Sequence, residues 1–237
     1  MQQFCFVFLC SFFIWRCTVE PKAPQSFLLD AYIRYDALAN EGYTEATFKA
    51  LPLRPDAGAI LPGGEVTFQQ KKMTVVNTEK PVYRTKFREM ADSFQIFWRD
   101  SAATQQMDVK IPMPRIDSFW FESKSVSLST PARLHWTGGD LKKGETLVLM
   151  WQNQEGKTST TEVYNPSGMP FLELPAAKLK ELSPGKWDLY LVRKQLTKTR
   201  LSKTGKRIVE GDQTAVAVES EAITEYYTRP RSFEVTR

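Results

Sequence analysis

Cysteine is missing from almost the whole chain. Of 237 residues only Cys5, Cys10 and Cys17 are cysteine, so everything after position 17 lacks a disulfide framework. Histidine is scarcer still, with His135 alone. A Ser-His-Asp triad would have to use it, yet it sits beside Trp136 in the strand-like run ARLHWTG, where a structural or exposed strand histidine is the plain reading. One histidine and no late cysteine leave a structural zinc site without its ligands. No GxGxxG or GxxxxGK[ST] loop is present, and no calcium loop of alternating Asp and Asn about a glycine. Carboxylates are scattered: Asp140 and Glu145 flank a turn, Asp117 and Glu122 flank a strand, and nothing marks a glycosidase pair. These absences predict a non-enzymatic protein with no cofactor.

No apolar run reaches the ~20 residues of a membrane-crossing helix. The longest runs from Phe4 to Trp15, broken only by Ser11, and its length suits the ~7–15-residue apolar core of a secretory signal. Cys17 closes it, and Thr-Val-Glu-Pro-Lys-Ala-Pro follows. This N-terminus resembles the leader of bacterial lipoproteins, where the cysteine is lipidated and becomes the first residue. Ile14 takes the aliphatic place three before the cysteine; Trp15 and Arg16 stand where that family has small residues, and Met1-Gln2-Gln3 lacks the usual basic residues. The resemblance implies residues 1–17 as leader, lipidation of Cys17, a membrane partner reached through the lipid, and a place in the cell envelope at the outer membrane. A secreted or periplasmic soluble form and an uncleaved anchor are the alternatives. Residues 18–26 read as a polar tether kept extended by Pro21 and Pro24.

The rest reads as strands and turns. In FLLDAYIRYD, Phe27, Leu29, Ala31, Ile33 and Tyr35 alternate onto one face, and Ala46 and Phe48 do so in YTEATFKA. EVTFQQ, KMTVV, PVYRTKFRE, SFQIFWRD and QQMDVKI complete about seven strands over 27–111, at the spacing of a β-sandwich. No stretch of 10–15 residues has helical periodicity, which argues against a βαβ sheet. Ile111-Pro112-Met113-Pro114-Arg115 marks a boundary, because two prolines two apart do not sit inside a central strand. A second set follows over 116–237: IDSFWFES, ARLHWTG, TLVLMWQ, TSTTEVY, PFLELP, WDLYLVRK, TAVAVES, AITEYYT and SFEVT. One short helix is expected over Pro175–Leu182, with Leu179 and Leu182 on one face.

Leu182-Ser-Pro-Gly-Lys-Trp187 resembles the L-x-P-G-x-aromatic corner of immunoglobulin and fibronectin type III sandwiches. The resemblance implies that the Trp187 ring fills the core and that its N–H bonds nearby backbone. The expected fold is therefore all-β: two tandem Ig-like antiparallel β-sandwiches, 27–111 and 116–237, packed end to end behind the N-terminal signal. Two sandwiches behind a lipoprotein-like leader resemble envelope lipoproteins of Gram-negative bacteria that have no assigned activity.

The net charge is +5, and residues 193–207 carry the excess. RKQLTKTRLSKTGKR holds Arg193, Lys194, Lys198, Arg200, Lys203, Lys206 and Arg207 and no acid. With a turn at Ser202-Lys-Thr-Gly205 it reads as a basic hairpin projecting from the second sandwich, exposed on both faces. Two readings are open: an anion-binding arm for an acidic glycan or lipid headgroup, or a solvated arm whose charges block edge pairing. Nucleic acid is not expected, since the arm has no aromatic to stack on a base. The function expected is envelope-anchored binding or scaffolding, with an envelope protein as a further candidate partner. The rival is a carbohydrate-binding accessory protein, which needs an exposed aromatic row. Trp98, Trp120, Trp136, Trp151 and Trp187 divide between core filling and such a platform.

Overall fold

The computed structural model describes residues 26–51, 53, 58–101, 106–164, 171–201 and 218–237. The leader through residue 25, Cys17 included, lies outside them, as do Lys203, Lys206 and Arg207. Among the described residues the chain is all-β, and its one helical turn is a 3-10 turn.

Strands β1 (Phe27–Asp36) and β2 (Glu41–Ala50) form a hairpin. Asp36 makes the turn: its carboxylate accepts the Leu38 and Ala39 amides at 2.9 and 3.1 Å. Along β1 the alternation puts Phe27, Leu29, Ala31, Ile33 and Tyr35 inside, as expected. β3 (Ala59–Ile60) adds briefly to β2. β4 (Glu65–Phe68) and β5 (Lys71–Lys72) are joined by Gln69 and Gln70, both at positive φ, 48° and 64°. Two such residues give the tight turn whose twist matches antiparallel strands. β6 (Thr74–Asn77), β7 (Val82–Phe87), β8 (Ser93–Arg99) and β9 (Gln106–Pro112) follow. β9 is an edge strand, which is why Pro112 is tolerated at its end.

After Met113 and Pro114 come β10 (Ser118–Phe121), β11 (Ser125–Ser127), β12 (Ala132–Thr137), β13 (Glu145–Asn153), β14 (Thr158–Val163) and β15 (Phe171–Leu174). The helix expected over Pro175–Leu182 is a 3-10 turn at Ala176–Lys178 only. Leu179 and Leu182 are both buried as the spacing requires. β16 (Gly185–Leu201), β17 (Val218–Tyr227) and β18 (Arg231–Thr236) end the chain.

The strands form an 11-stranded sheet and two smaller ones. Along the large sheet the order is β11-β18-β16-β17-β1-β2-β7-β6, with β13 and β14 attached to β16 and β3 to β2. A four-stranded sheet, β5-β4-β8-β9, covers one end. Phe27 meets Trp98 at 4.9 Å, and Phe94 meets Phe87 at 4.7 Å and Phe68 at 5.2 Å. A three-stranded sheet, β10-β12-β15, covers the other, where Phe121 meets Phe233 at 4.9 Å and Trp151 at 5.9 Å. Each large ring buried this way contributes roughly 1.5–3 kcal/mol.

β16 is common to both ends. Trp187–Gln195 pairs with β13, Gly185–Leu189 with β18, and Val192–Leu201 with β17. β17 in turn lies parallel to β1, from Phe27↔Val218 to Asp36↔Tyr227. Of the segment read as a basic hairpin, residues 193–201 belong to β16 and the rest lies outside the described residues. One face of β16 holds Gln195 and Thr197 with buried side-chain oxygens.

Candidate functional site

Of the seven basic residues of 193–207, Lys203, Lys206 and Arg207 lie outside the described residues, and the others are placed unevenly. Lys194 pairs with Glu225 at 3.0 Å and Lys198 with Glu221 at 2.5 Å, across the β16–β17 ladder. Arg200 stands in register opposite Glu219. Lys194 and Lys198 are thus faced by acids of β17, which sequence distance separates from them. Exposed pairs of this kind are worth ~0–1 kcal/mol each, but they fix strand register.

Arg193 is not on the surface at all. It is 2% exposed and forms a buried ion pair with Glu145 at 2.5 Å. Its Nη1 donates to the carbonyls of Arg115, Gly138 and Gly139 at 3.2, 3.1 and 2.9 Å, and its Nη2 to that of Asp140 at 2.6 Å. Glu145 also accepts the Lys142 amide at 3.0 Å. The guanidinium is spent on structure and is not available to a ligand from solvent. It ties the segment around Arg115 to the 138–145 turn, beside the stretch of β16 that pairs with both β13 and β17. Gly138 makes this possible: its φ is +109°, and a Cβ there would lie 2.4 Å from the Arg115 carbonyl oxygen.

A second polar cluster joins β1 to the hairpin. Glu225 accepts the Tyr32 hydroxyl at 2.6 Å and the Tyr227 hydroxyl at 2.9 Å. Burial acts to raise the Glu225 carboxyl, but the hydrogen bonds from Tyr32, Lys194 and Tyr227 outweigh it and hold the group below its ordinary value. Burial and the bond to Glu225 push Tyr32 well up and Tyr227 up to about 12. Arg34 lies over the Tyr227 ring, 3.9 Å from its centre.

The tryptophans separate clearly. Trp98, Trp136, Trp151 and Trp187 are buried. Trp187 donates its N–H to the Ser183 carbonyl at 2.7 Å, the backbone bond its corner motif implied. Trp98 and Trp136 donate to the Gly63 and Gly139 carbonyls at 2.7 and 3.0 Å. Trp120 alone remains 41% exposed.

Trp120 belongs to a row. β10, β12 and β15 place Trp120, His135 and Phe171 side by side on the outer face of the small sheet. The Trp120 and His135 rings are parallel within 10° at 5.6 Å, and Phe171 follows at 5.7 Å. Alternation puts the next outward positions, Glu122, Arg133 and Glu173, two residues along the same strands. Arg133 bridges them, 3.8 Å from Glu122 and 3.4 Å from Glu173. These three line a depression of about 360 Å³ that also takes in Ser125, Ser127 and Thr130. The face thus sets an exposed ring beside fixed hydrogen-bonding groups. Sequence reading could not choose Trp120 over the other tryptophans, because each lies in an otherwise apolar strand.

No protein-family model and no curated protein matches this chain. Among the described residues no helix is long and apolar enough to cross a membrane, and no cluster of three or more His, Cys, Asp or Glu could hold a metal ion.

Proposed function

We propose that the protein is a non-enzymatic binding module of the cell envelope, built from two tandem Ig-like sandwiches and tethered through lipidated Cys17, and that its ligand is a glycan taken on the β10-β12-β15 face. The observation that carries this reading is the Trp120–His135–Phe171 row beside the Glu122–Arg133–Glu173 row. An exposed indole offers a flat apolar surface for the C–H face of a sugar ring. The ion triad and the hydroxyls of Ser125, Ser127 and Thr130 offer donors and acceptors for sugar hydroxyls at the adjoining depression. The apolar run ending at Cys17, and the absence of cysteine after it, support export and anchoring.

Binding of the full chain to a panel of envelope polysaccharides tests the glycan. Trp120→Ala should abolish binding with little change in thermal midpoint, because the ring is exposed. Retention of binding in that variant, or no binding to any polysaccharide by the unaltered protein, would overturn the assignment. The anchor is tested separately: Cys17→Ser should move the protein from the membrane to the soluble fraction, and an unchanged distribution would defeat it.

A further inference from the structure

Away from that face, a crevice of about 530 Å³ opens beside the ends of β1 and β17 and the start of β18. Its walls come from the end of β1, the segment after Pro114, and the three-residue break between β17 and β18. Three arginines line it, Arg115, Arg229 and Arg231, against a single carboxylate, Asp117. Asp117 is already engaged by Arg115 at 2.9 Å.

The other two guanidinium groups have no carboxylate partner among the described residues. Each is instead held by one N–H on a main-chain carbonyl: Arg229 Nε donates to Ala37 at 3.1 Å, and Arg231 Nη1 to Phe119. A guanidinium has five N–H donors. One tether apiece fixes the position of the head and leaves a fork uncommitted. Tyr226, 8% exposed, lines the same crevice and is stacked on Tyr35 at 6.0 Å and 12°. Among the described residues its hydroxyl has no hydrogen-bond partner. Burial raises the Tyr226 phenol, so it remains a proton donor at neutral pH. Asn40 spends its side-chain oxygen on the Tyr35 hydroxyl at 2.7 Å, which leaves its amide N–H groups for the crevice.

The walls therefore offer pre-positioned donors and a surplus of positive charge, with their one acid neutralised. We propose that this crevice binds an oxyanion, a carboxylate or a phosphate group, gripped by the free forks of Arg229 and Arg231 and capped by the Tyr226 hydroxyl. Such pairs are charge-assisted and bidentate, the geometry in which arginine outperforms lysine. This site is separate from the glycan face and shares no residue with it.

Isothermal titration calorimetry of the full chain with inorganic phosphate and with glucuronate, at low ionic strength balanced by chloride, tests it. Saturable binding of at least one probe is expected, weakening as salt rises. Phosphate alone binding points to a headgroup or free phosphate, and glucuronate alone to an acidic sugar. Arg229→Gln with Arg231→Gln should weaken binding roughly ten- to hundredfold or more. Should that pair disturb the fold, Tyr226→Phe keeps the ring and removes only the hydroxyl, and should weaken binding severalfold with an unchanged thermal midpoint. Trp120→Ala should leave oxyanion binding untouched, which separates this inference from the glycan assignment. No saturable binding of either probe at low salt, or full binding in the tyrosine and arginine variants, would overturn it.

Discussion

Replacing Arg193 with methionine removes the side chain that ties Glu145 to the Arg115 carbonyl. The stem is kept, so packing changes little and the loss is chiefly polar. Glu145 is left buried with only the Lys142 amide, and breaking a buried pair from one side costs ~3–5 kcal/mol. The carbonyls of Arg115, Gly138, Gly139 and Asp140 also lose their donor. Even with water reaching some of them, an orphaned buried group costs ~1 kcal/mol or more. The expected loss is therefore at least about 4 kcal/mol, a large part of a typical domain's ~5–15 kcal/mol. Urea unfolding followed by tryptophan fluorescence measures it, since four tryptophans are buried. Glu145→Gln keeps an acceptor in place and should lose less than Arg193→Met. The double variant Arg193→Met with Glu145→Leu removes the stranded charge but not the stranded carbonyls. It should recover part of the loss and remain below the unaltered protein. A single-variant loss under ~1 kcal/mol, or a double variant as stable as the starting protein, would refute the reasoning.

Three further outcomes are expected. Gly138→Ala should cost ~2 kcal/mol or more in the same urea assay, because the new Cβ meets the Arg115 carbonyl, whereas Gly139→Ala, at φ +90° with open space around it, should cost about half as much; equal losses would remove the close approach as the cause. Trp187→Ala should cost ~3–5 kcal/mol, and Trp187→Phe ~1–2 kcal/mol for the lost Ser183 bond and part of the ring; a negligible loss in both would place the corner outside the cooperative core. Tyr227 is raised to about 12, so its neutral form supports the fold fully below its unfolded value near 10, and that support is lost as pH rises through the folded value. Phenolate absorbance should therefore show a late-ionising phase to which Tyr32 and Tyr227 both contribute, and Tyr227→Phe should lower its amplitude by one tyrosine; an unchanged amplitude in that variant would contradict the assignment.

Strand content was legible because one face of each strand is apolar at period two. FLLDAYIRYD is the clearest case: its inward set matched position for position. Pairing was not legible, because periodicity says which face is buried and nothing about the neighbour. The segment 193–207 was read alone as seven unpaired cations. Yet Glu221 and Glu225 lie on one face of β17 and pair with Lys198 and Lys194, across a ladder whose register no local signal announces. The sequence divides TAVAVES from AITEYYT, but Val218–Tyr227 is one continuous strand in which Ser220 is buried between Glu219 and Glu221; residues 214–217 lie outside the described residues. The Gln69-Gln70 turn escaped for another reason: glutamine lacks the short side chain that marks asparagine and glycine as turn formers. Of the site, the aromatic row was foreseeable as a requirement only. Choosing Trp120 needed the position of β10 at the edge of its sheet.

The parallel pairing of β1 with β17 has a consequence for how the chain reaches its native state. Tyr32 and Glu225 are 193 positions apart yet share a hydrogen bond. During synthesis β1 emerges and waits, with one edge unpaired, until residues 218–227 have been made. Contacts of such long sequence separation close slowly, because the loop entropy is lost before any contact forms. An open β1 edge is also a template for wrong partners during that interval. A chain held unfolded until its full length is present avoids that interval, whereas one that folds as it emerges passes through it. Truncation anywhere before residue 227 would leave β1 without its complete final neighbour, so stop mutations late in this chain should damage its beginning as much as its end.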